Sequence, residues 1–562
     1  MTGTLLDRRF FLAACSGAGL GSPLLAGALW AASGGGEREL SAEMLAAAAR
    51  VAGLEFEPED VERMLAGVRS NIAMYAELRA LAIDQSVPPP LYFNPAIPGQ
   101  VFETERRPFR LGPRGDAARP AQLEELACWP LTQLSRLIET RRLGSLELTR
   151  MYLERLKRHD AALNCVVTLT EELALEQASR ADHEIARGEY RGPLHGIPWG
   201  VKDLLATRGY RTTWGFEAYR GQVIDMDATV VRRLEEAGAV LVAKLATGEI
   251  ARGDIWFGGQ TKNPWNPDQG AGGSSAGPAA ATAAGLVGFS IGTDTTGSIL
   301  GPSRNCGITG LRPTFGRVSR HGAMPVCWSL DRVGPMCRSA EDCAVVFDAI
   351  HGPDNQDLAV VDRPFNYDGS ARLPALRVGY LDEAFDSSDP ERANDRATLD
   401  ALRELGCELA PVRLPAHAVM DELQMLLVDE AAAFDELLAS GDIRYFNQDL
   451  DDPEDMLMRI ARLVPAVEYL QINRRRMLLM TDLAKLFDDI DVLAAPHRGS
   501  PVLAATSLTG HPAVSVPNGL DPSGMPTGIL LVGRLYAEAT LLMLTRGLEA
   551  VPGHEPRRPP LA

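Results

Sequence analysis

Residues 270–316 read GAGGSSAGPAAATAAGLVGFSIGTDTTGSILGPSRNCGITGLRPTFG. Two serines stand beside glycine in this stretch. Ser274 follows Gly272-Gly273, and Ser298 follows Thr295-Thr296-Gly297. Glycine permits positive φ and close approach of a second backbone or a ligand. A glycine-flanked turn also leaves backbone N–H groups free to face an anion. A hydroxyl beside such a turn suits acyl transfer, which needs an attacking oxygen and donors aimed where the oxyanion forms.

A serine hydroxyl is a weak nucleophile and requires a base. The leading candidate lies upstream in GIPWGVKD, residues 196–203, where Lys202 ends an apolar run. Burial disfavours an ammonium and leaves a neutral amine able to accept a proton. Lys244, at the end of the apolar run Val240–Lys244, is the rival base.

GIPWGVKD, GGSSAG and GTDTTGSI, in that order, closely resemble the motifs of the amidase signature family of serine hydrolases. The resemblance continues through CGITGLRPTFGRVSRHG (306–322) and SLDRVGPM (329–336). It returns in TGHPAVSVPNG (509–519) and PTGILLVGR (526–534). Several motifs in family order carry far more weight than one short pattern.

The resemblance implies a Ser-Ser-Lys triad. Ser298 is then the nucleophile, Ser274 the proton relay in a cis peptide, and Lys202 the base and later the proton source. The backbone N–H groups of Thr295, Thr296, Gly297 and Ser298 form the implied oxyanion hole. Ser275, Gly273 and Asp294 support it. The implied reaction is hydrolysis of a linear carboxamide C–N bond through an acyl-enzyme, with no cofactor and no metal. The implied fold is α/β, a central mixed twisted sheet covered by helices, with an N-terminal helical extension.

This chain departs from the family pattern at three points. Thr296-Gly297-Ser298 replaces Gly-Gly-Ser, Ala276-Gly277 replaces Gly-Gly, and Leu300 replaces an arginine. Leu300 removes an ion-pair partner for Asp294, for which Arg304 is the candidate replacement. The triad residues are retained, and the departures bear on the shape of the pocket.

Composition excludes several other classes. The 562 residues are 46% hydrophobic and 23% charged, which describes a globular chain rather than a disordered one. A net charge of −18 opposes a nucleic-acid surface, which needs a basic patch. Eight cysteines form no CxxC pair, and nine histidines show no HExxH or zinc spacing, so no metal is expected. Cys337 and Cys343 read as buried thiols. The oligomeric state is not legible.

Three segments follow from the organisation of the chain. Residues 1–36 carry Arg8-Arg9 before Phe10-Phe11 and a long uncharged run, the pattern of a twin-arginine export signal. That pattern implies contact with the export machinery and a periplasmic destination; an uncleaved membrane anchor is the alternative. Residues 37–120 read as a helical extension and a proline-rich connector. Ser41 caps a first helix, and a second begins at Pro58 with an apolar stripe running to about Ala82. VPPPLYFNPAIPG (87–99) cannot form helix. Residues 121–552 read as the catalytic domain.

Within that domain, helices are expected at 131–142, 146–159, 171–187, 227–237, 275–285, 339–350 and 392–405. Strands are expected at 166–169, 197–204, 240–244, 286–292, 378–381, 408–412 and 492–495. Strands alternating with helices argue an α/β sheet. Residues 415–490 read as helical and least family-like. Leu423, Met425, Leu426, Phe434 and Phe446 fit core better than an acyl pocket. His511 reads as structural.

Three competing readings exist. Gly288-Phe289-Ser290-Ile291-Gly292 matches the GxSxG elbow, but a turn rather than a helix follows it. One component of the tRNA-dependent amidotransferases shares the same motifs, and an export signal opposes it. A non-catalytic binding protein on the same fold is supported only by the three departures.

Overall fold

In the computed structural model the described residues are 40–51, 93–113, 118–385, 389–415, 428–446, 465–498 and 501–561, with single positions at 58, 61, 62, 65, 115, 458 and 461. Residues 1–36, read above as an export signal, most of the segment read as a second N-terminal helix, and Leu423, Met425 and Leu426 lie outside them.

Thirteen strands are present among the described residues. They are β1 (Val166–Leu169), β2 (Pro198–Lys202), β3 (Val240–Leu245), β4 (Ile255–Trp256), β5 (Gly259–Gln260), β6 (Phe289–Asp294) and β7 (Thr309–Arg312). The remainder are β8 (Arg332–Cys337), β9 (Arg377–Tyr380), β10 (Glu408–Pro411), β11 (Val492–Pro496), β12 (Ala513–Leu520) and β13 (Pro526–Gly533). Eleven of them form one sheet in the order β1-β3-β2-β6-β8-β7-β12-β13-β11-β9-β10, and β4 and β5 form a separate hairpin.

The sheet is mixed. β2 runs parallel to both β3 and β6, and β9 runs parallel to β10 and β11. β8 is antiparallel to β6 and β7, and β13 is antiparallel to β12 and β11. Strands with helices on both faces are buried throughout, so they read as continuous apolar runs rather than alternating ones. β2, β3 and β11 are buried at every position.

Helices cover the faces. Ser145–Leu163 and Glu171–Ala186 pack beside β3, contributing Leu153, Leu156, Ala174 and Ala178 to one apolar cluster with Val240 and Val242. The Asp182 carboxylate accepts the N–H groups of Ser145 (2.6 Å) and Leu146 (3.0 Å), satisfying two orphan donors at the start of the first of these helices. Helix Ala276–Ala283 is buried along its whole length, which its small side chains permit. Ser339 caps Ala340–Ile350 by accepting the Asp342 N–H at 3.2 Å.

The seven expected strands are present, β4, β5, β7, β8, β12 and β13 are additional to them, and one expected strand is shifted in a way that matters. The strand expected at 286–292 runs from Phe289 to Asp294. Gly285, at φ +63°, ends the preceding helix, and Leu286 and Val287 complete the turn buried among apolar neighbours. The shift makes Asp294 the last residue of β6. The N-terminal helix is Ala42–Val51, with Ser41 Oγ accepting the Met44 N–H at 3.3 Å. The connector after residue 93 is extended and held by aromatic contacts: Phe93 on Phe315 (5.0 Å between centroids), Phe102 on Tyr536 (4.8 Å) and Phe109 on Tyr367 (5.5 Å).

Candidate active site

Lys202 closes β2 and is fully buried. Its amine position is fixed by two hydroxyls, Ser274 Oγ at 2.7 Å and Thr293 Oγ1 at 3.0 Å. Burial pushes the lysine down to about 7, against the opposing pull of Asp294 and Asp331. A large fraction of the amine is therefore neutral near pH 7.

Ser274 sits at the start of helix Ala276–Ala283, and the Gly273–Ser274 peptide is cis. Gly273 lies against the backbone of Gly253. A Cβ at Gly273 would stand 2.0 Å from the Gly253 carbonyl oxygen, so no other residue fits there. Ser275 fastens this turn to β6: its hydroxyl donates to the Thr293 carbonyl (3.1 Å) and accepts the Thr293 N–H (3.3 Å). The Ser275 N–H donates to the Ser298 carbonyl at 3.1 Å, so the two serine-bearing turns are joined directly.

Ser298 lies on the turn after β6 and is half-buried, whereas Lys202 and Ser274 are sealed from solvent. Asp294 shapes this turn. Its carboxylate accepts the N–H groups of Gly297 (2.8 Å), Ile299 (2.8 Å) and Leu300 (3.3 Å). The Gly297 N–H is thus already donated inside the turn. Among the described residues no protein acceptor takes the N–H of Thr295, Thr296 or Ser298. Gly297 has φ +126°, a conformation other residues rarely adopt, and Leu503 packs against it.

Arg312 on β7, not Arg304, is the cation beside Asp294, at 3.6 Å. Arg304 is turned away and bonds Glu391 and Asn305. The loss of arginine at 300 is thus met from the next strand. Leu300 is buried in an apolar cluster with Cys327, Leu330 and Ile472.

The rival residues have structural environments. Lys244 donates to the Leu205 carbonyl (2.9 Å) and Thr212 Oγ1 (2.6 Å) and pairs with Asp203 at 3.2 Å. Ser290 is buried within β6, where its hydroxyl lies 2.8 Å from Thr282 Oγ1 and 3.0 Å from the Pro278 carbonyl. His511 is buried, bonds Thr509 at 2.8 Å and stacks on Phe487; burial drives its imidazole down to about 3. Phe434 packs on Trp214 and Phe446 on Phe216, both in the main core. Trp256 packs on Phe257, and Trp265 donates its indole N–H to the Cys306 carbonyl at 2.9 Å, which ties their loop to the end of helix Leu300–Cys306.

Sequence reasoning passes over three residues of the site: Thr293, Arg312 and Asp331. Asp331 accepts the Thr295 hydroxyl at 2.7 Å, and burial raises its carboxyl to about 6. Arg312 and Asp331 lie in quoted motifs, GLRPTFG and SLDRVGPM. The available signal for Thr293 is its place beside Asp294.

Known proteins similar to this chain in sequence and fold are amidases and amidotransferase subunits. The Amidase family profile matches residues 147–542. The chain is 36% identical over 463 residues to the A-type subunit of the glutamyl-tRNA(Gln) amidotransferase from Methylococcus capsulatus, covering 73% of this chain and 94% of that one. It is 36% identical over 475 residues to the putative amidase AmiD of Mycobacterium bovis, covering 79% and 99%. The peptide amidase of Stenotrophomonas maltophilia superposes with a TM-score of 0.69 at 32% identity, covering 77% of this chain and 99% of that one. A profile match over most of the chain, and relatives matched along nearly their whole length, make this protein a member of the amidase signature family.

Proposed function

We propose that the protein hydrolyses a linear carboxamide through an acyl-enzyme on Ser298. The observation that carries this reading is the 2.7 Å contact between a buried Lys202 amine and Ser274 Oγ. Neutral Lys202 takes the Ser274 proton as Ser274 takes that of Ser298, and Ser298 Oγ attacks the carbonyl carbon. The oxyanion rests on the free N–H groups of Thr295, Thr296 and Ser298, with Gly297 shaping the turn. The C–N bond breaks as a proton returns from Lys202 through Ser274 to the leaving nitrogen. Water then cleaves the ester along the same relay.

A second reading, the A-type component of an amidotransferase, is favoured by the 36% identity to a protein of that name. Both readings share the acyl-enzyme and differ in the fate of the nitrogen. The test is release of ammonia or amine from a panel of primary and substituted amides by the purified protein on its own, without ATP, tRNA or partner subunits. Turnover under these conditions supports the hydrolase. Activity appearing only with partner subunits, ATP and charged tRNA supports the amidotransferase.

We also read Arg8-Arg9 as directing export to the periplasm, which is the feature that opposes the amidotransferase. Replacing both arginines by lysine is expected to retain the protein in the cytoplasm. Unchanged periplasmic yield removes that support.

A further inference from the structure

The turn that carries Ser298 is held at two ends by two carboxylates. Asp294 grips its far end through the N–H groups of Gly297, Ile299 and Leu300. Its near end, Thr295, is held by a side chain from another strand end. The Thr295 hydroxyl donates to Asp331 Oδ1 at 2.7 Å. Asp331 immediately precedes β8, whose Arg332 pairs with Asp294 in the ladder.

The other oxygen of Asp331 is also committed. Oδ2 accepts the N–H groups of Val326 (2.8 Å) and Cys327 (3.0 Å). The loop over 326–331 is itself anchored. Arg476 donates to the Ser329 hydroxyl and carbonyl, each at 2.8 Å, and Cys327 Sγ lies 3.2 Å from an Asp429 oxygen. Tyr469 donates its hydroxyl to the other Asp429 oxygen at 2.7 Å. The Asp331 carboxylate therefore stands between a braced loop and the first residue of the Ser298 turn.

We propose that Asp331 is a positioning residue for the reaction, acting through the Thr295 hydroxyl to set the turn that carries Ser298 and its oxyanion donors. This inference rests on the reading of Ser298 as nucleophile. It assigns Asp331 no contact with substrate. A displacement of about 1 Å in such a turn costs roughly 100-fold in rate, and it acts on the transition state rather than on substrate binding.

The test is steady-state kinetics of Asp331→Asn, Thr295→Val and Thr295→Ser, with Ser298→Ala measured alongside. Asp331→Asn and Thr295→Val are each expected to lower kcat about 10- to 100-fold with little change in KM, as for lost transition-state contacts. Thr295→Ser, which keeps the hydroxyl, is expected to restore most of kcat. The Asp331→Asn/Thr295→Val double variant is expected to fall no further than the worse single variant, because the two residues act as one unit. Wild-type kcat in Thr295→Val, or equal losses in Thr295→Val and Thr295→Ser, overturns the inference while an inactive Ser298→Ala leaves the nucleophile reading standing. An active Ser298→Ala overturns both. Should Asp331→Asn fail to fold, the Thr295 pair alone decides.

Discussion

Lys202 Nζ lies 2.7 Å from Ser274 Oγ, and both side chains are closed to solvent. That pairing sets a protonation requirement. With the amine brought down to about 7 by burial, Lys202 is mostly ammonium below that pH and mostly neutral above it. Only the neutral amine accepts a proton. The expected kcat/KM therefore rises with pH through about 7 and levels above it. A rate independent of pH between 6 and 9 would contradict the assignment of Lys202 as base.

The same burial has a consequence for stability. An unperturbed lysine titrates at about 10.4, so between about 7 and that value the unfolded chain binds a proton that the folded chain does not. Stability then rises with pH across this window, and the cost of holding the ammonium is fully present below it. Lys202→Met removes that cost. The variant is expected to be inactive yet to melt higher than wild type, with a larger gap at pH 6 than at pH 9, by thermal denaturation.

Lys244→Met is expected to behave in the opposite way. It leaves Asp203 buried without its cation, and breaking such a pair costs about 3–5 kcal/mol. A fall in melting temperature is the expected result. A variant as stable as wild type would show that the hydrogen bonds donated by the Thr213 N–H and hydroxyl are enough to hold the Asp203 carboxylate without its cation.

Gly297→Ala places a methyl group 2.8 Å from Leu503 Cδ2 on a residue with φ +126°. Backbone strain of this kind costs about 1–3 kcal/mol, and relief requires the Ser298 turn to move. A loss of kcat of at least about 100-fold is expected, with a modest fall in melting temperature. Retained kcat would show that the turn tolerates a shifted backbone.

Ser290→Ala is expected to keep kcat within about twofold of wild type while losing about 1 kcal/mol of stability, since its hydroxyl serves Thr282 and the Pro278 carbonyl inside the sheet. Loss of activity without loss of stability would revive the elbow reading.

Much of this arrangement is legible in the sequence because glycine and serine are placed by local backbone needs. Gly273 and Gly297 occupy positions where a side chain would collide, and such positions announce themselves in a short stretch. The periodic strands and helices from Val166 to Leu245 are equally open to reading. β7, β8, β12 and β13 are not, since glycine, proline and arginine interrupt their apolar pattern and their burial comes from neighbours on both sides. The partner of Asp294 escapes the sequence for a related reason. Arg304 is ten residues away in sequence, but helix Leu300–Cys306 turns it toward Glu391, whereas Arg312 returns on β7. Asp331 reaches Thr295 only through the antiparallel pairing of β6 with β8, which sequence spacing does not reveal.

The most direct test of the central claim is labelling with a serine-reactive fluorophosphonate, followed by mass spectrometry of the adduct, on the full chain and on Lys202→Ala. The expected result is a single adduct on Ser298 that forms far more slowly in Lys202→Ala. An adduct on Ser290, or none on a folded and monodisperse protein, would contradict the assignment of Ser298 as the nucleophile.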